Sequence, residues 1–410
     1  MACQEKRINI LAKDIDMNAR IYASDGYKKW FQKTISKQTM KNNLAIDVIE
    51  NGTIAVDVRG YGYGVFDKDG RFVRSSLRIR GRMGQIVPKM PHDAPYIDED
   101  IVYFGNAYPH FGHFLLENMN RAWGCLADLA RGAKIGLINN RQLPAIPGYM
   151  MTLTQKFGDV RVVSSSARFR RVIIPHQAFN MHWWSAPEFA RAFAHIAAQV
   201  PGVEYEKIYV SRCKLKNGKT IGEEKIQRIF EKNGFHVVYP ETLDLDTQIG
   251  LMKNCRVLAG CAGTALHLSV FMPDGGRVIQ IKRNRMYEDN ADIQYLLNRT
   301  KEMESVFIDA SIETVKTQHS TALPQIIGVN EHMKRFFDEN GFEYDAADLA
   351  PDTDAMRQYT DALAMYKKMH GGAMTGKIKH AVIKYAACLV PGRNRRKSFR
   401  EFMKRALHCA

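Results

Sequence analysis

Apolar positions change rhythm along this chain near residue 96. Upstream, short runs such as AIDVIENG and GYGVFDKDGRFVRSS alternate, and in the second of them Asp69-Gly70 falls between two apolar stretches as a hairpin turn would. Residues 1–95 therefore read as a β-rich segment packed on the lobe that follows. From residue 96, strand-like runs are separated by helix-like ones: DIVYFG, HFLLENMNRAWGCLADLA, KIGLINN and RVIIPHQ. Around PGVEYEK the series restarts. Strands IYVSR, FHVVYP, RVLAG and RVIQI are interleaved with helices EEKIQRIFEKNG, LDTQIGLMKN and TALHLSVFM. Such alternation predicts parallel sheets covered by helices. The chain is thus expected to be an α/β protein with two Rossmann-like, doubly wound domains over 96–200 and 201–320. A helical segment over 321–372 (EHMKRFFDENGF, DAMRQYTDALAMYKKMH) and a basic tail over 373–410 follow them, parted by Gly371-Gly372.

Length and composition fit this division. At 410 residues the chain suits two domains plus an appendage, and 45% hydrophobic with 25% charged residues is ordinary for folded protein. No window approaches the roughly 18 apolar residues of a membrane-spanning helix. The start, MACQEKRINILAKDID, lacks the apolar run of a secretory signal, so a cytoplasmic protein is expected. Seven scattered cysteines without a CxxC pair read as reduced thiols rather than bridges or a zinc cluster.

Net charge becomes informative once it is located. Residues 377–410 hold ten Lys/Arg against Glu401, which is +9 of the chain's +16. Within them Ile378, Val382, Tyr385 and Leu389 recur at helical spacing among Lys377, Lys379 and Lys384, and RNRRKSFREFMKRAL follows Pro391-Gly392. A cationic amphipathic stretch over 377–408 suits docking on an anionic membrane surface, which a lipid-linked acceptor would explain. A solvated basic face is the plain alternative. Nucleic acid is the rival partner, but the tail lacks interleaved base-stacking aromatics and a known nucleic-acid module.

Three clusters carry candidate chemistry. After the strand DIVYFG, a helix beginning near Phe111 would stack His113, Glu117 and Arg121 at i, i+4 and i+8, with His110 and Asn118 close by, at the strand edge where α/β sheets bind ligands. A His and a Glu in contact make a base pair in which either member takes a proton. The plainer readings are a Glu117–Arg121 helix ion pair, a capping histidine, or a metal held by His110, His113 and Glu117. Second, Arg212 at the end of IYVSR, followed by Lys214, Lys216 and Lys219, would grip a diphosphate, unless it is a surface arginine on a basic loop. Third, Gly260, Gly263, Thr264 and His267 join a strand to an apolar helix. There glycines let backbone approach an anion, and Thr264 would cap the helix; a simple tight turn is the alternative.

Taken in order, these clusters resemble glycosyltransferase family 61, in particular its bacterial members that serve capsule and surface-polysaccharide synthesis. The resemblance lies in HFGHFLLENMNRAW, YVSR, GEEKI and GFHVVYPETLDLDTQIGLMKNCRVLAGCAGTALHLSVFM, covering about 100–285, with Gly222 where Asn is common and Ala262 where several members carry His. It implies a GT-B arrangement, with the acceptor lobe first, the donor lobe second and a cleft between them. It further implies inversion by single displacement, without a cofactor or an essential metal. On this reading Glu117 or His113 takes the acceptor proton, with Glu117 preferred, and His110, Asn118 and Arg121 support that side. Arg212, Lys219, Gly260, Gly263, Thr264 and His267 hold the donor diphosphate, while Glu241 and Gln248 shape the nucleoside side. The implied partners are a nucleotide-sugar donor and a glycan or lipid-linked acceptor at the inner face of the cytoplasmic membrane. A non-catalytic sugar-nucleotide-binding scaffold is the competing function.

Overall fold

The structure, a computed structural model, describes residues 19–57, 62–79, 86–139, 143–215, 220–283, 290–312 and 324–366. β1 (Ala19–Tyr22) leads into α1 (Asp25–Ile35), whose first turn Ser24 caps by accepting from the Tyr27 N–H. β2 (Ile46–Glu50), β3 (Thr53–Val56), β4 (Tyr63–Phe66) and β5 (Phe72–Val73) follow, the last three paired antiparallel in succession, and then come β6 (Tyr96–Asn106), β7 (Lys134–Ile138), β8 (Val160–Val163) and β9 (Ala167–Pro175). The β4–β5 turn forms where Asp69-Gly70 predicts it: Gly70 has φ +78°, and the Asp67 carboxylate accepts from the Asp69 and Arg71 N–H groups at 2.9 and 2.8 Å.

These strands build one sheet in the order β5-β4-β3-β9-β6-β7-β8, with β2 also on β9. β9, β6, β7 and β8 run parallel, whereas β2 and β3 meet β9 antiparallel. The first half is therefore a mixed sheet, and only its β9-β6-β7-β8 part has the all-parallel pattern of a doubly wound fold.

α2 (Gly148–Gln155) and α3 (Pro187–Ala198) lead to the second sheet. It contains β10 (Lys207–Val210), α4 (Glu223–Lys232), β11 (His236–Val238), α5 (Leu245–Lys253), β12 (Val257–Cys261), β13 (Arg277–Lys282), α6 (Ala291–Thr300) and β14 (Glu304–Asp309), with α7 (Glu331–Glu339) beyond. Strand order is β11-β10-β12-β13-β14-β1, parallel throughout. Leaving β1 aside, this is the 2-1-3-4-5 order of a doubly wound sheet, in which the chain steps to one side of its first strand and then to the other.

The lead-in is divided between the sheets. Residues 46–73 extend the first sheet, whereas β1 pairs with β14 and α1 packs on α6 and β14, Phe31 lying against Tyr295 and Phe307 at 5.8 and 4.8 Å between ring centroids. An all-parallel sheet leaves an apolar edge strand that needs covering, and β1 covers it. One apolar cluster runs without a break from Phe104, Phe114 and Phe193 to Leu258 and Phe271, so the two halves share a core at their seam. Among the described residues no helix is long and apolar enough to cross a membrane. The basic stretch 377–408 lies outside the described residues.

Two helices predicted from periodicity take other forms. The run after β6 is one α-turn (Phe111–His113), a π-helical turn (Phe114–Asn118) and a 3-10 stretch (Met119–Leu126). It is pinned at both ends, because a Cβ on Gly112 would sit 2.5 Å from Thr264 Cγ2 and one on Gly124 would sit 2.2 Å from Pro175 Cγ. Between the pins the Asn118 amide donates to the Asn106 and Phe104 carbonyls at 2.7 and 3.3 Å. These tertiary contacts outweigh the regular helix. Thr264–Phe271 is likewise 3-10, bounded by Gly263 and Met272-Pro273, which leave little length for an α-helix to propagate.

Candidate active site

In a 2-1-3-4-5 sheet the ligand crevice opens beyond the carboxyl ends of the strands, where the chain reverses direction across the sheet. Here that point lies between β10 and β12. Ser211-Arg212 continue the first strand and Ala262-Gly263 the second. Gly260 lets the two strand ends close, since a Cβ there would meet the Val210 carbonyl oxygen at 2.7 Å, and a Cβ on Gly263 would meet Arg212 Nη1 at 2.6 Å. Both glycines thus make room at the strand ends, the second of them for the guanidinium. Thr264 does not cap its helix: Gly263 holds the N-cap position, no side chain bonds there, and Thr264 packs against Gly112.

Arg212 lines a cavity of about 430 Å³. Phe111, Tyr149 and Thr152 face it from the first sheet's side, and Glu241, Gln248 and Thr264 from the second's. The sequence reading missed Phe111 and Tyr149. Their rings meet edge-on at 5.4 Å, and burial raises the Tyr149 hydroxyl to about 12. No spacing signal marks them, because their place on the cavity wall depends on how the sheets meet. Gln248 donates to the Pro240 and Leu243 carbonyls at 2.9 and 3.0 Å and so holds the turn that carries Glu241. Lys214 lies over the Tyr239 ring at 3.9 Å, while Lys216 and Lys219 lie outside the described residues.

On the first sheet's side, His113 Nδ1 is 2.8 Å from Glu117 Oε2, and Arg78 Nη1 is 3.6 Å from the same oxygen. The side chain of Glu117 is 5% exposed and that of His113 is 23%, so the carboxylate stands behind the imidazole. His110 caps the turn, its Nδ1 accepting from the His113 N–H at 3.4 Å, with the two rings 4.8 Å apart. Arg121 leaves this face, and the ion pair with Glu117 suggested by spacing does not form. The Arg121 guanidinium is buried and donates to the carbonyls of Pro175, Ser75 (2.8 Å) and Leu77 (3.0 Å). The π-turn that holds Glu117 gives way to a 3-10 stretch at Met119, and this change of winding rotates position 121 off the predicted face. Arg121 and Asn118 thus tie together backbone around the site. Among the described residues no three His, Cys, Asp or Glu side chains gather as a metal-holding group.

His267 sits with these histidines rather than with Arg212. Burial, and then the charges of His110 and His113, push it down to about 4 despite its hydrogen bond with Gln294. Gln294 spends its amide N–H groups on Ser269 and Asn298, at 3.0 and 2.8 Å. Its Oε1 must therefore accept from His267 Nδ1, 2.9 Å away, leaving His267 Nε2 an acceptor. Gly112 is the contact across the seam, since a Cβ there would lie 2.5 Å from Thr264 Cγ2 and 3.4 Å from His267 Cδ2. Gly112→Ala is expected to cost about 1–3 kcal/mol by overpacking. Chemical denaturation checks this, and a change below about 0.5 kcal/mol would mean that the seam yields freely.

Residues 111–279 match the sequence model of the family described as Glycosyltransferase 61, a stretch running from the His113–Glu117 turn into β13. No curated protein matches the chain.

Proposed function

With a glycosyltransferase family 61 domain over 111–279 making this chain a glycosyltransferase, we propose that it inverts the anomeric centre of a nucleotide-sugar in one displacement that needs no metal. The two sheets would form a GT-B pair, with the acceptor on the side of the first and the donor diphosphate at the β10/β12 ends. One observation carries the reading: the Arg212 guanidinium stands at the switch point of an all-parallel sheet, in a cavity also walled by Phe111, which opens the turn that carries His113, and by Tyr149 of α2.

In this mechanism His113 is the base and Glu117 orients it, because the imidazole is the more accessible member of the pair. The acceptor oxygen bonds to the anomeric carbon as its proton passes to His113 Nε2. The carbon–oxygen bond to the diphosphate breaks, and its electron pair leaves on the phosphate oxygen. Arg212 and the N–H groups at Gly263-Thr264 take up that charge. Glu241 and the turn held by Gln248 border the nucleoside. The acceptor side comprises His110 and His267. The role in surface-polysaccharide synthesis, with a lipid-linked acceptor at the inner membrane face, rests on the sequence resemblance and on the basic stretch 377–408.

Thermal shift with UDP, GDP, CMP and ADP in the presence of EDTA tests the reading. One nucleotide is expected to stabilise the wild-type protein selectively, and Arg212→Ala is expected to lose that response. If no nucleotide acts, or if the response survives in Arg212→Ala, the diphosphate role of Arg212 is wrong and the scaffold reading gains.

A further inference from the structure

Glu223 opens α4 on the face of the second sheet that α4 and α7 cover, and it is 0% exposed. Its Oε1 accepts from the Arg212 backbone N–H at 3.0 Å and from the Tyr209 hydroxyl at 3.3 Å. Gly222 delivers it there with φ +84°, so close to the Ile327 carbonyl oxygen that a Cβ would lie 2.2 Å from it. The charged and titratable groups around the carboxylate come from each neighbouring strand. They are Tyr209 and Arg212 from β10 and its extension, with Cys213 beside that tyrosine, Cys261 from β12, and Arg283 from the end of β13. Among the described groups, one carboxylate thus faces two guanidiniums. A buried charge persists only where partners offset it.

We propose that Glu223 is a positioning residue that stands in for the ligand anion. It holds the Arg212 turn and balances Arg212 and Arg283 while the diphosphate site is empty, and it takes a proton from solvent when a nucleoside diphosphate brings its own charge to those cations. This rests on the reading of Arg212 as the diphosphate's partner. Both hydrogen bonds fall on Oε1, so Oε2 can carry a proton without breaking either. Burial raises the carboxyl to about 7, against the opposing pull of the Arg212 N–H and charge and of Cys261 and Tyr209. An anion at Arg212 screens the cations that favour the ionised form, so the proton affinity of Glu223 rises further on binding.

Linkage gives the signs. Above pH 7 the empty protein holds Glu223 ionised and the bound form holds it protonated, so binding takes up a proton and affinity falls as pH rises, by up to about tenfold per unit. The experiment is calorimetric titration at pH 8, in two buffers of different ionisation enthalpy, using whichever of UDP, GDP, CMP and ADP stabilises the wild-type protein. Uptake of a large part of one proton by the wild type, lost in E223Q together with the fall in affinity between pH 7 and 9, is the expected result. Uptake that persists in E223Q overturns the proposal. So does its absence from the wild type, which decides the matter even where E223Q folds poorly. Nucleotide binding that depends on Arg212 but carries no proton linkage sinks this inference alone, whereas no nucleotide binding at all sinks it together with the reading of Arg212.

Discussion

His113→Gln should lower kcat by about 10²–10⁴-fold while leaving nucleotide affinity within a few-fold of wild type. The imidazole is the exposed member of a pair whose carboxylate is almost wholly covered, so it is the group an acceptor hydroxyl can reach. Removing it takes away the proton's destination without touching the strand ends where the diphosphate would bind. Glu117→Gln should lower kcat to a similar extent for a different reason. A carboxylate 2.8 Å from His113 Nδ1 electrostatically favours a proton on that nitrogen, which leaves the lone pair to Nε2. An amide in its place can donate to Nδ1 and reverse that arrangement. Transfer assays on both variants, run beside nucleotide binding, separate the roles. A Glu117→Gln protein that is inactive next to a His113→Gln protein within tenfold of wild type would make Glu117 itself the base.

Arg121→Met should destabilise the fold by about 3 kcal/mol or more and should act on catalysis only through that loss. Three backbone carbonyls converge on this guanidinium: Pro175 at the end of β9, and Ser75 and Leu77 after β5. Its face lies over the Tyr103 ring at 5.5 Å. Methionine fills much of the volume but returns none of those hydrogen bonds. Denaturant unfolding measures the cost. A protein of native stability with impaired transfer would instead return Arg121 to the acceptor side, where helical spacing had placed it.

How far the sequence could be read depended on whether a feature was local. The strand ends carrying Arg212 and Gly260–Gly263 were legible because a strand, a glycine and a polar residue at fixed spacing need only the backbone of one sheet. The β4–β5 turn was legible for the same reason. Legibility failed where distant contacts overrule the local pattern. An i, i+4, i+8 face requires a continuous α-helix, and the pins at Gly112 and Gly124 prevent one, so His113 and Glu117 stayed together while Arg121 turned away. His267 belonged by spacing with the glycines beside it, yet it is buried against Gln294, with His110 and His113 facing it from the other side of the seam. Phe111, Tyr149 and Arg283 carried no pattern, because their part arises only when two sheets and three strand ends meet.

The edge pairing of β1 also bears on how the molecule is made. Ala19 pairs with Ser305, so β1 waits for a strand synthesised long after it. The second sheet cannot finish until β14 has been synthesised, and contacts this distant in sequence form slowly. A nascent chain halted before β14 would hold an unpaired N-terminal strand and an incomplete parallel sheet at once, which is the state in which aggregation competes best with folding. For the same reason, a fragment cut at the boundary near 200 would separate the second sheet from its own outer strand, so the two halves are better treated as interleaved than as consecutive beads.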